Sequence, residues 1–135
     1  MRLRRTGRRS RGTSAVEMAL VAPLLIAIIL GQLESSRLGM VAQLLTTAAR
    51  EGCRVAVITG NDQTRVQARV HAVLNGTGIP LQYQTVTPTP GWNSASTGTP
   101  ITVSFDVPYS EVSWFPTPYY FKTAHIKVSA TMNRE

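Results

Sequence analysis

The chain has few of the residues that metal sites and disulfide-stabilised folds require. Its 135 residues include one cysteine, Cys53, and two histidines, His71 and His125. A single cysteine excludes an intramolecular disulfide, and we expect Cys53 to be a small, buried, apolar residue on a helix. Neither histidine has cysteine or carboxylate neighbours at the spacing of metal ligands. The sequence therefore predicts no metal site and no cofactor.

The sequence also lacks a recognisable catalytic arrangement. It contains no nucleophile–base pair, no glycine-rich phosphate loop and no carboxylate pair on a defined scaffold. Asp106, Glu111 and the two histidines are scattered along the chain. We therefore expect no catalytic residues and no small-molecule ligand, and we predict that the protein is not an enzyme.

The excess positive charge is confined to the first eleven residues. The chain has a net charge of +7, of which +6 comes from six arginines: Arg2, Arg4, Arg5, Arg8, Arg9 and Arg11. From Thr13 onward, eight basic residues nearly balance seven acidic ones. A surface that binds DNA or RNA needs its basic residues on the folded domain. Nucleic acid is therefore not an expected partner.

A long apolar run follows these arginines. Sixteen residues without a charge separate Glu17 from Glu34, and residues 13–33 in a helix span roughly 31 Å, close to the roughly 30 Å hydrocarbon core of a bilayer. The run predicts a transmembrane helix over residues 13–34. Basic residues favour the cytoplasmic side, so residues 1–12 are expected to be a cytoplasmic leader and residues 35–135 an extracytoplasmic domain. The expected location is the inner (cytoplasmic) membrane, crossed once.

A basic start and an apolar run also describe a secretory signal peptide. However, the uncharged core is longer than the roughly 7–15 residues usual for such a signal, and residues 31–36 offer no convincing A-x-A cleavage site. Two alternatives stay open at this point. One is an uncleaved, single-pass anchor that carries an extracytoplasmic interaction module. The other is an exported soluble protein, which requires cleavage after the apolar helix.

The junction Arg11-Gly12-Thr13-Ser14-Ala15-Val16-Glu17 resembles the processing site of type IV prepilins. In those proteins a basic leader ends in glycine, and the fifth residue of the mature chain is glutamate. The resemblance implies that an aspartic prepilin peptidase cuts between Gly12 and Thr13. A carboxylate at the membrane edge is costly, and Glu17 could offset that cost by pairing with the Thr13 ammonium group of a neighbouring subunit. Such a pair would set the axial register of subunits in a filament.

Two longer blocks resemble the hallmarks of TadE-like proteins, which are pseudopilins or minor pilins of the tight-adherence (type IVb, Flp) pilus system. They are residues 12–25, GTSAVEMALVAPLL, and residues 48–56, AAREGCRVA. The chain departs from the family pattern at Met18, where an aromatic residue is more common, and at Cys53, where a small residue such as alanine is more usual. The resemblance implies a role in pilus assembly. Its expected partners are membrane lipid, the prepilin peptidase, other pilins or pseudopilins, and the assembly platform.

The rest of the chain predicts an α+β fold. We expect a long N-terminal helix with a membrane half and an extracytoplasmic half (residues 35–58), a short second helix over residues 62–75, and a small antiparallel sheet of about three strands near residues 81–87, 101–107 and 124–132. One apolar seam, with residues spaced three and four apart, follows the extracytoplasmic half of the first helix: Leu38, Val41, Leu45, Ala48, Gly52 and Val55. The seam suits packing against the chain's own domain or against another subunit.

Two loops complete the prediction. Residues 88–100 are polar and rich in turn-forming residues, so we expect an exposed loop that carries Trp92. Residues 109–121 concentrate aromatic side chains. They would suit an exposed partner surface, but a loop folded over a thin sheet to complete the core is the favoured interpretation.

Overall fold

The predicted α+β fold is confirmed by the computed structural model, which describes residues 9–58, 60, 62–87, 91–114 and 123–135. Helix α1 is Arg9–Ala56 and helix α2 is Gln63–Leu74. The strands are β1, Gln84–Thr87, β2, Pro100–Pro108, and β3, His125–Asn133. Short 3-10 turns occupy Leu81–Tyr83, Trp92–Ser94 and Tyr109–Glu111.

The chain divides into two compact units. The first, Met1–Ser35, contains the N-terminal part of α1, and the second, Ser36–Glu135, contains the rest of that helix with α2 and the strands. In the second unit, three strands form an antiparallel sheet in the order β1-β2-β3. The long strand β2 is central: Val103 pairs with Val86 on one side and with Ala130 on the other.

Strict alternation on β2 gives the sheet one buried face. Ile101, Val103 and Val107 are fully buried and Phe105 is nearly so. Thr102 and Ser104 are only partly buried and Asp106 is exposed, because successive side chains of a strand point to opposite faces. The alternating pattern of residues 101–107 therefore indicates which face of the central strand is buried.

The core of the second unit lies among this buried sheet face, α2 and the later half of α1. Val66, Val70 and Leu74 are the buried residues of α2, at the spacing of one helical face. Within this unit, the buried positions of α1 are Val41, Leu45, Ala48, Ala49, Gly52, Cys53 and Ala56. Each fully buried valine or leucine side chain contributes roughly 1.5–3 kcal/mol relative to its exposed state.

Element boundaries differ from the predicted ones where local chemistry is ambiguous. Within the described residues, helix α1 begins at Arg9 rather than Thr13, because arginine is a good helix former. It ends at Ala56 rather than Ile58, although the Val57 N–H still donates to the Cys53 carbonyl at 3.0 Å. The first half of the strand predicted over residues 81–87 is a 3-10 turn, preceded by Pro80 at its N-cap.

The start of α2 follows the capping chemistry of its sequence. The Arg65 N–H donates to Asp62 Oδ1 at 3.0 Å, so Asp62 is the N-cap residue and satisfies one of the free N–H groups of the first turn. Helix α2 accordingly runs Gln63–Leu74, one residue shorter at each end than predicted.

The prediction that Trp92 lies on an exposed loop is wrong. Trp92 is 7% exposed, and its carbonyl accepts a hydrogen bond at 2.6 Å from the guanidinium of Arg134, which is itself 7% exposed. Arg134 also donates to the Asn93 carbonyl at 2.8 Å. The C-terminal end of the chain therefore holds this loop against the core, a contact 42 residues apart in sequence that local composition does not reveal.

The aromatic segment begins as a core element. Tyr109 is fully buried, whereas Trp114 is 62% exposed. The remaining aromatic residues of the segment, from Phe115 to Phe121, lie outside the residues that the structure describes.

Candidate functional site

The processing-site residues predicted from the sequence lie near the start of α1. Gly12, Thr13 and Glu17 are helical and exposed. Thr13 and Glu17 are four residues apart and so share one face of the helix. Of the leader arginines, Arg9 and Arg11 belong to the backbone of α1, while Arg2, Arg4, Arg5 and Arg8 lie outside the described part of the chain.

Between Val16 and Leu33, the large hydrophobic side chains of α1 are exposed. Eleven large hydrophobic residues between positions 16 and 33 keep 38–74% of their surface accessible. A soluble monomer rarely exposes a contiguous apolar patch of more than a few hundred Å². Within the described residues, Gly12–Ala56 is a helix long and apolar enough to cross a membrane, and none of its most apolar stretch is buried.

A proline lies within this apolar stretch. Pro23 is inside the continuous helix, where it removes one N–H donor from the hydrogen-bond ladder. Prolines are tolerated in transmembrane helices because neighbouring groups satisfy the freed backbone atoms. The proline is therefore compatible with a membrane-crossing segment.

The predicted helix seam has its closest contact at Gly52. Val41, Leu45 and Ala48 are fully buried, and Leu38 and Val55 are partly buried against the same core. A Cβ atom at Gly52 would lie 2.9 Å from Val70 Cγ2 and 3.5 Å from Val103 Cγ1. The seam therefore packs into the core of its own unit, and at Gly52 it approaches α2 and the sheet.

One ion pair joins the two helices. Arg69 on α2 donates to Glu51 Oε2 on α1 at 2.8 Å and 3.1 Å through Nη2 and Nε. Arg54 lies farther away, with 3.9 Å between its Nη1 and Glu51 Oε1. The Arg69 hydrogen bonds lower the pKa of Glu51 below its ordinary value, with a smaller contribution from the charge of Arg54. Because these groups are exposed, the pair fixes geometry more than it adds stability.

A second arginine links α1 to two loops. Arg37 Nε donates to the Val112 carbonyl at 3.0 Å, and Nη2 donates to the Thr77 carbonyl at 3.4 Å. Its guanidinium carbon also lies 5.3 Å from the centroid of the Trp114 ring, within the range of a cation–π interaction. The sequence did not indicate these contacts of Arg37, because the partners are 40 and 75 residues away in the chain.

The sheet brings together charged residues that look scattered in the sequence. His125 Nδ1 lies 2.7 Å from Asp106 Oδ1, and Lys127 Nζ lies 3.3 Å from Asp106 Oδ2. The hydrogen bond from His125 is the main cause of a lowered pKa at Asp106, and Lys127 adds to it. The signal available in the sequence was the pairing of two alternating strands, since Asp106 stands opposite Lys127 in the register.

These groups do not assemble a metal site or a reactive centre within the described residues. Those residues contain no cluster of three or more histidine, cysteine, aspartate or glutamate side chains that could hold a metal ion. Cys53 is fully buried, as predicted, and its Sγ lies 3.1 Å from the Ile101 carbonyl oxygen. Burial raises the pKa of this thiol, which keeps it protonated and unreactive at neutral pH.

Comparison with known proteins identifies the N-terminal part of the chain. No curated protein and no solved structure matches the chain. The family model described as TadE-like protein matches residues 12–54, a range that starts at the predicted processing site and runs along α1 to Arg54. The resemblance seen in the sequence is therefore confirmed over residues 12–54, where the chain matches the TadE-like family model.

Proposed function

We propose that this chain is a membrane-anchored pseudopilin, or minor pilin, that acts in the assembly of a Tad (type IVb, Flp) pilus or a related secretion system. The observation that carries the proposal is the match of the TadE-like family model to a range that begins at Gly12. That range includes the exposed apolar stretch of α1 and Glu17 within it. TadE-like proteins are components of a pilus system, so the match supports a role for this chain in such a system.

The proposed topology places residues 1–12 in the cytoplasm and the second unit outside the inner membrane. Each basic residue near an anionic leaflet contributes about 1 kcal/mol. The six arginines before Gly12 therefore bias the N-terminus toward the cytoplasmic side.

The proposed maturation step is a cut between Gly12 and Thr13 by a prepilin peptidase. In the uncut chain this bond lies inside α1, so the peptidase must first unwind the start of the helix. Gly12 lowers the cost of unwinding, because glycine is about 1 kcal/mol less favourable in a helix than alanine. Gly12 and Thr13 are both exposed, and in the described part of the chain no atom beyond the adjacent helix backbone lies within 4 Å of a Cβ placed at Gly12.

The cut removes all six leader arginines and creates a new ammonium group at Thr13. A charged carboxylate costs about 2.5–3.5 kcal/mol at the centre of a membrane helix, which is an upper bound for Glu17 near the membrane edge. In a stack of subunits, we propose, the Glu17 carboxylate pairs with the Thr13 ammonium of a neighbour and offsets that cost. Because only one axial offset brings the two charges together, the pair also sets the register between subunits.

In this proposal the chain performs no chemistry of its own. It is a substrate of the peptidase, and afterwards it packs through α1 against other pilins or pseudopilins and contacts the assembly platform. Such a subunit would start, cap or join a filament built mainly from another pilin.

The test of maturation is the mass of the N-terminal peptide of protein taken from native membranes. We expect a chain that starts at Thr13 when the peptidase is present, and one that starts at Met1 when the peptidase gene is deleted. Gly12→Val should block the cut. Gly39→Val is the matched control, because Gly39 lies on the same helix and is equally uncrowded, and it should be cut normally.

Two other N-termini would contradict the proposal. A membrane-bound chain that keeps Met1 in the presence of the peptidase indicates a plain anchored interaction module. A chain that starts beyond Leu33 indicates an exported soluble protein.

The role of Glu17 is tested separately. Glu17→Gln should leave membrane insertion unchanged but reduce cross-linking to pilin partners and recovery with sheared filaments. Glu17→Asp keeps the charge and should restore part of the signal. Normal incorporation of the glutamine variant would refute the charge-pairing mechanism while leaving the maturation step intact.

A further inference from the structure

The surface around Arg37 combines an exposed aromatic ring with a cation, close in sequence to the end of the apolar run. Trp114 is 62% exposed and Met40 is 48% exposed. The Arg37 guanidinium joins them: Nη1 lies 3.7 Å from Met40 Sδ, and the guanidinium carbon lies 5.3 Å from the Trp114 ring centroid. We call Arg37, Met40 and Trp114 the Arg37 patch. Among the described residues outside the apolar run of α1, Trp114 is the most exposed large hydrophobic side chain.

The patch is held in place by the fold of the second unit. Arg37 donates to the carbonyl of Val112, which is 3% exposed and only two residues before Trp114. A further bond to the Thr77 carbonyl fixes the other side of the guanidinium. The indole is therefore exposed beside an arginine whose position is set by two backbone carbonyl groups.

The place of Arg37 on α1 determines what the patch faces. Arg37 follows Leu33, the last residue of the uncharged run, by four helical residues, or about 6 Å of rise. A headgroup layer is about 5–7 Å thick on each side of the hydrocarbon core. If Leu33 marks the end of that core, the guanidinium and the ring beside it lie in the headgroup layer.

The chemistry of the patch matches that layer. Tryptophan and arginine side chains both combine an apolar body with a polar tip and are favoured at membrane interfaces. Arginine has five N–H donors, of which three make the contacts described above. Within the described residues, two donors are left for an anionic oxygen, and guanidinium groups bind phosphate particularly well.

We propose that the Arg37 patch is a second membrane contact of this protein, with Arg37 bound to phospholipid phosphate and Trp114 inserted among the headgroups. The inference rests on the proposed membrane anchoring by α1. It adds a contact between residues of the second unit and the lipid headgroups.

The test uses the two tryptophans of the chain as depth probes. The full-length protein is reconstituted in vesicles of phosphatidylethanolamine and phosphatidylglycerol that carry bromine either near the headgroup or near the end of the acyl chain. Trp92→Phe leaves Trp114 as the probe, and Trp114→Phe leaves the buried Trp92 as the matched control. If Trp92→Phe does not fold, the difference between wild type and Trp114→Phe reports the same signal.

We expect Trp114 emission to be lost with bromine near the headgroup and largely kept with bromine deep in the chain, while Trp92 loses emission in neither vesicle. Arg37→Gln should reduce the loss at Trp114. Arg54→Gln is its matched control, because Arg54 is an exposed arginine about 26 Å farther along α1 and should change nothing.

Carbonate extraction of the same vesicles distinguishes the two proposals. Protein that resists extraction but whose Trp114 is quenched by soluble acrylamide and not by bromine refutes the membrane contact alone. Trp114 shielded from both quenchers indicates that a protein partner covers the patch, and this also refutes the proposal. Protein that is extracted refutes the anchoring and the patch together.

Discussion

A methyl group added at Gly52 tests whether α1 packs as closely against its own unit as the structure shows. The new Cβ would lie 2.9 Å from Val70 Cγ2, 3.5 Å from Val103 Cγ1 and 3.7 Å from Val66 Cγ1. The shortest of these distances is closer than real Cβ contacts, and valine side chains are stiff about χ1, so a backbone or rotamer shift is needed. Overpacking of this kind costs about 1–3 kcal/mol.

Replacing glycine by alanine also stabilises a helix interior by up to about 1 kcal/mol, which partly masks the clash. The matched control is Gly39→Ala on the same helix, where no atom lies within 4 Å of the new Cβ. Since the helix-propensity gain is common to both variants, it cancels when they are compared. We expect Gly52→Ala to be less stable than Gly39→Ala by about 1–3 kcal/mol.

The measurement is urea unfolding of the full chain in detergent micelles, followed by near-ultraviolet circular dichroism. A double variant, Gly52→Ala with Val70→Ala, removes the clashing methyl groups and should lose less stability than the two single changes add up to. Equal stability of Gly52→Ala and Gly39→Ala would refute the close approach of α1 to α2. If the loss of stability in the double variant equals the sum of the two single losses, Val70 is not the residue that clashes with the new methyl group.

Three further predictions concern the second unit. Arg134→Met should lower the free energy of unfolding by about 1–3 kcal/mol, because it removes the donors to the Trp92 and Asn93 carbonyls. Arg134→Lys, which cannot reach both carbonyls at once, should lose less stability. An unchanged urea midpoint for Arg134→Met would contradict this prediction. His125 holds the pKa of Asp106 below its ordinary value. The pair therefore stabilises the fold at pH values above about 4, the ordinary pKa of an aspartate, and this stabilisation is lost as the pH falls through the lowered pKa of Asp106. His125→Phe should raise the Asp106 pKa in an NMR titration, and an unmoved titration would exclude the bond in solution. Cys53 should react with iodoacetamide only as fast as the protein unfolds, because the thiol is buried and its pKa is raised; rapid alkylation of folded protein would contradict its burial.

The elements were predictable where one periodicity extends over many residues. The alternation of Ile101, Val103, Phe105 and Val107 specified both a strand and its buried face, because a shift of one residue would expose all four. The spacing of Val66, Val70 and Leu74 did the same for α2. Short segments were less predictable: Leu81 to Tyr83 carry apolar residues compatible with a strand, yet the chain makes a 3-10 turn there.

Contacts between distant segments account for what could not be predicted. Composition placed Trp92 on a polar loop, but burial of this residue depends on the loop being held by Arg134 from the other end of the chain. Asp106 and His125 meet only because β2 and β3 pair in one register. Of the candidate site, Gly12 and Glu17 were predicted from a local motif, whereas the Arg37 patch depends on residues 77 positions apart, counted from Arg37 to Trp114.

Helix α1 belongs to both compact units, and this has a practical consequence for the preparation of a water-soluble fragment. Six of the twenty buried hydrophobic residues in the described part of the chain belong to this helix: Val41, Leu45, Ala48, Ala49, Cys53 and Ala56. A fragment that lacks residues 1–56 would lose these six side chains. The apolar faces of the sheet and of α2 would then be exposed to water. A fragment that begins at Ser36, the first residue of the second compact unit, lacks the exposed apolar stretch of α1 and keeps all six of those side chains.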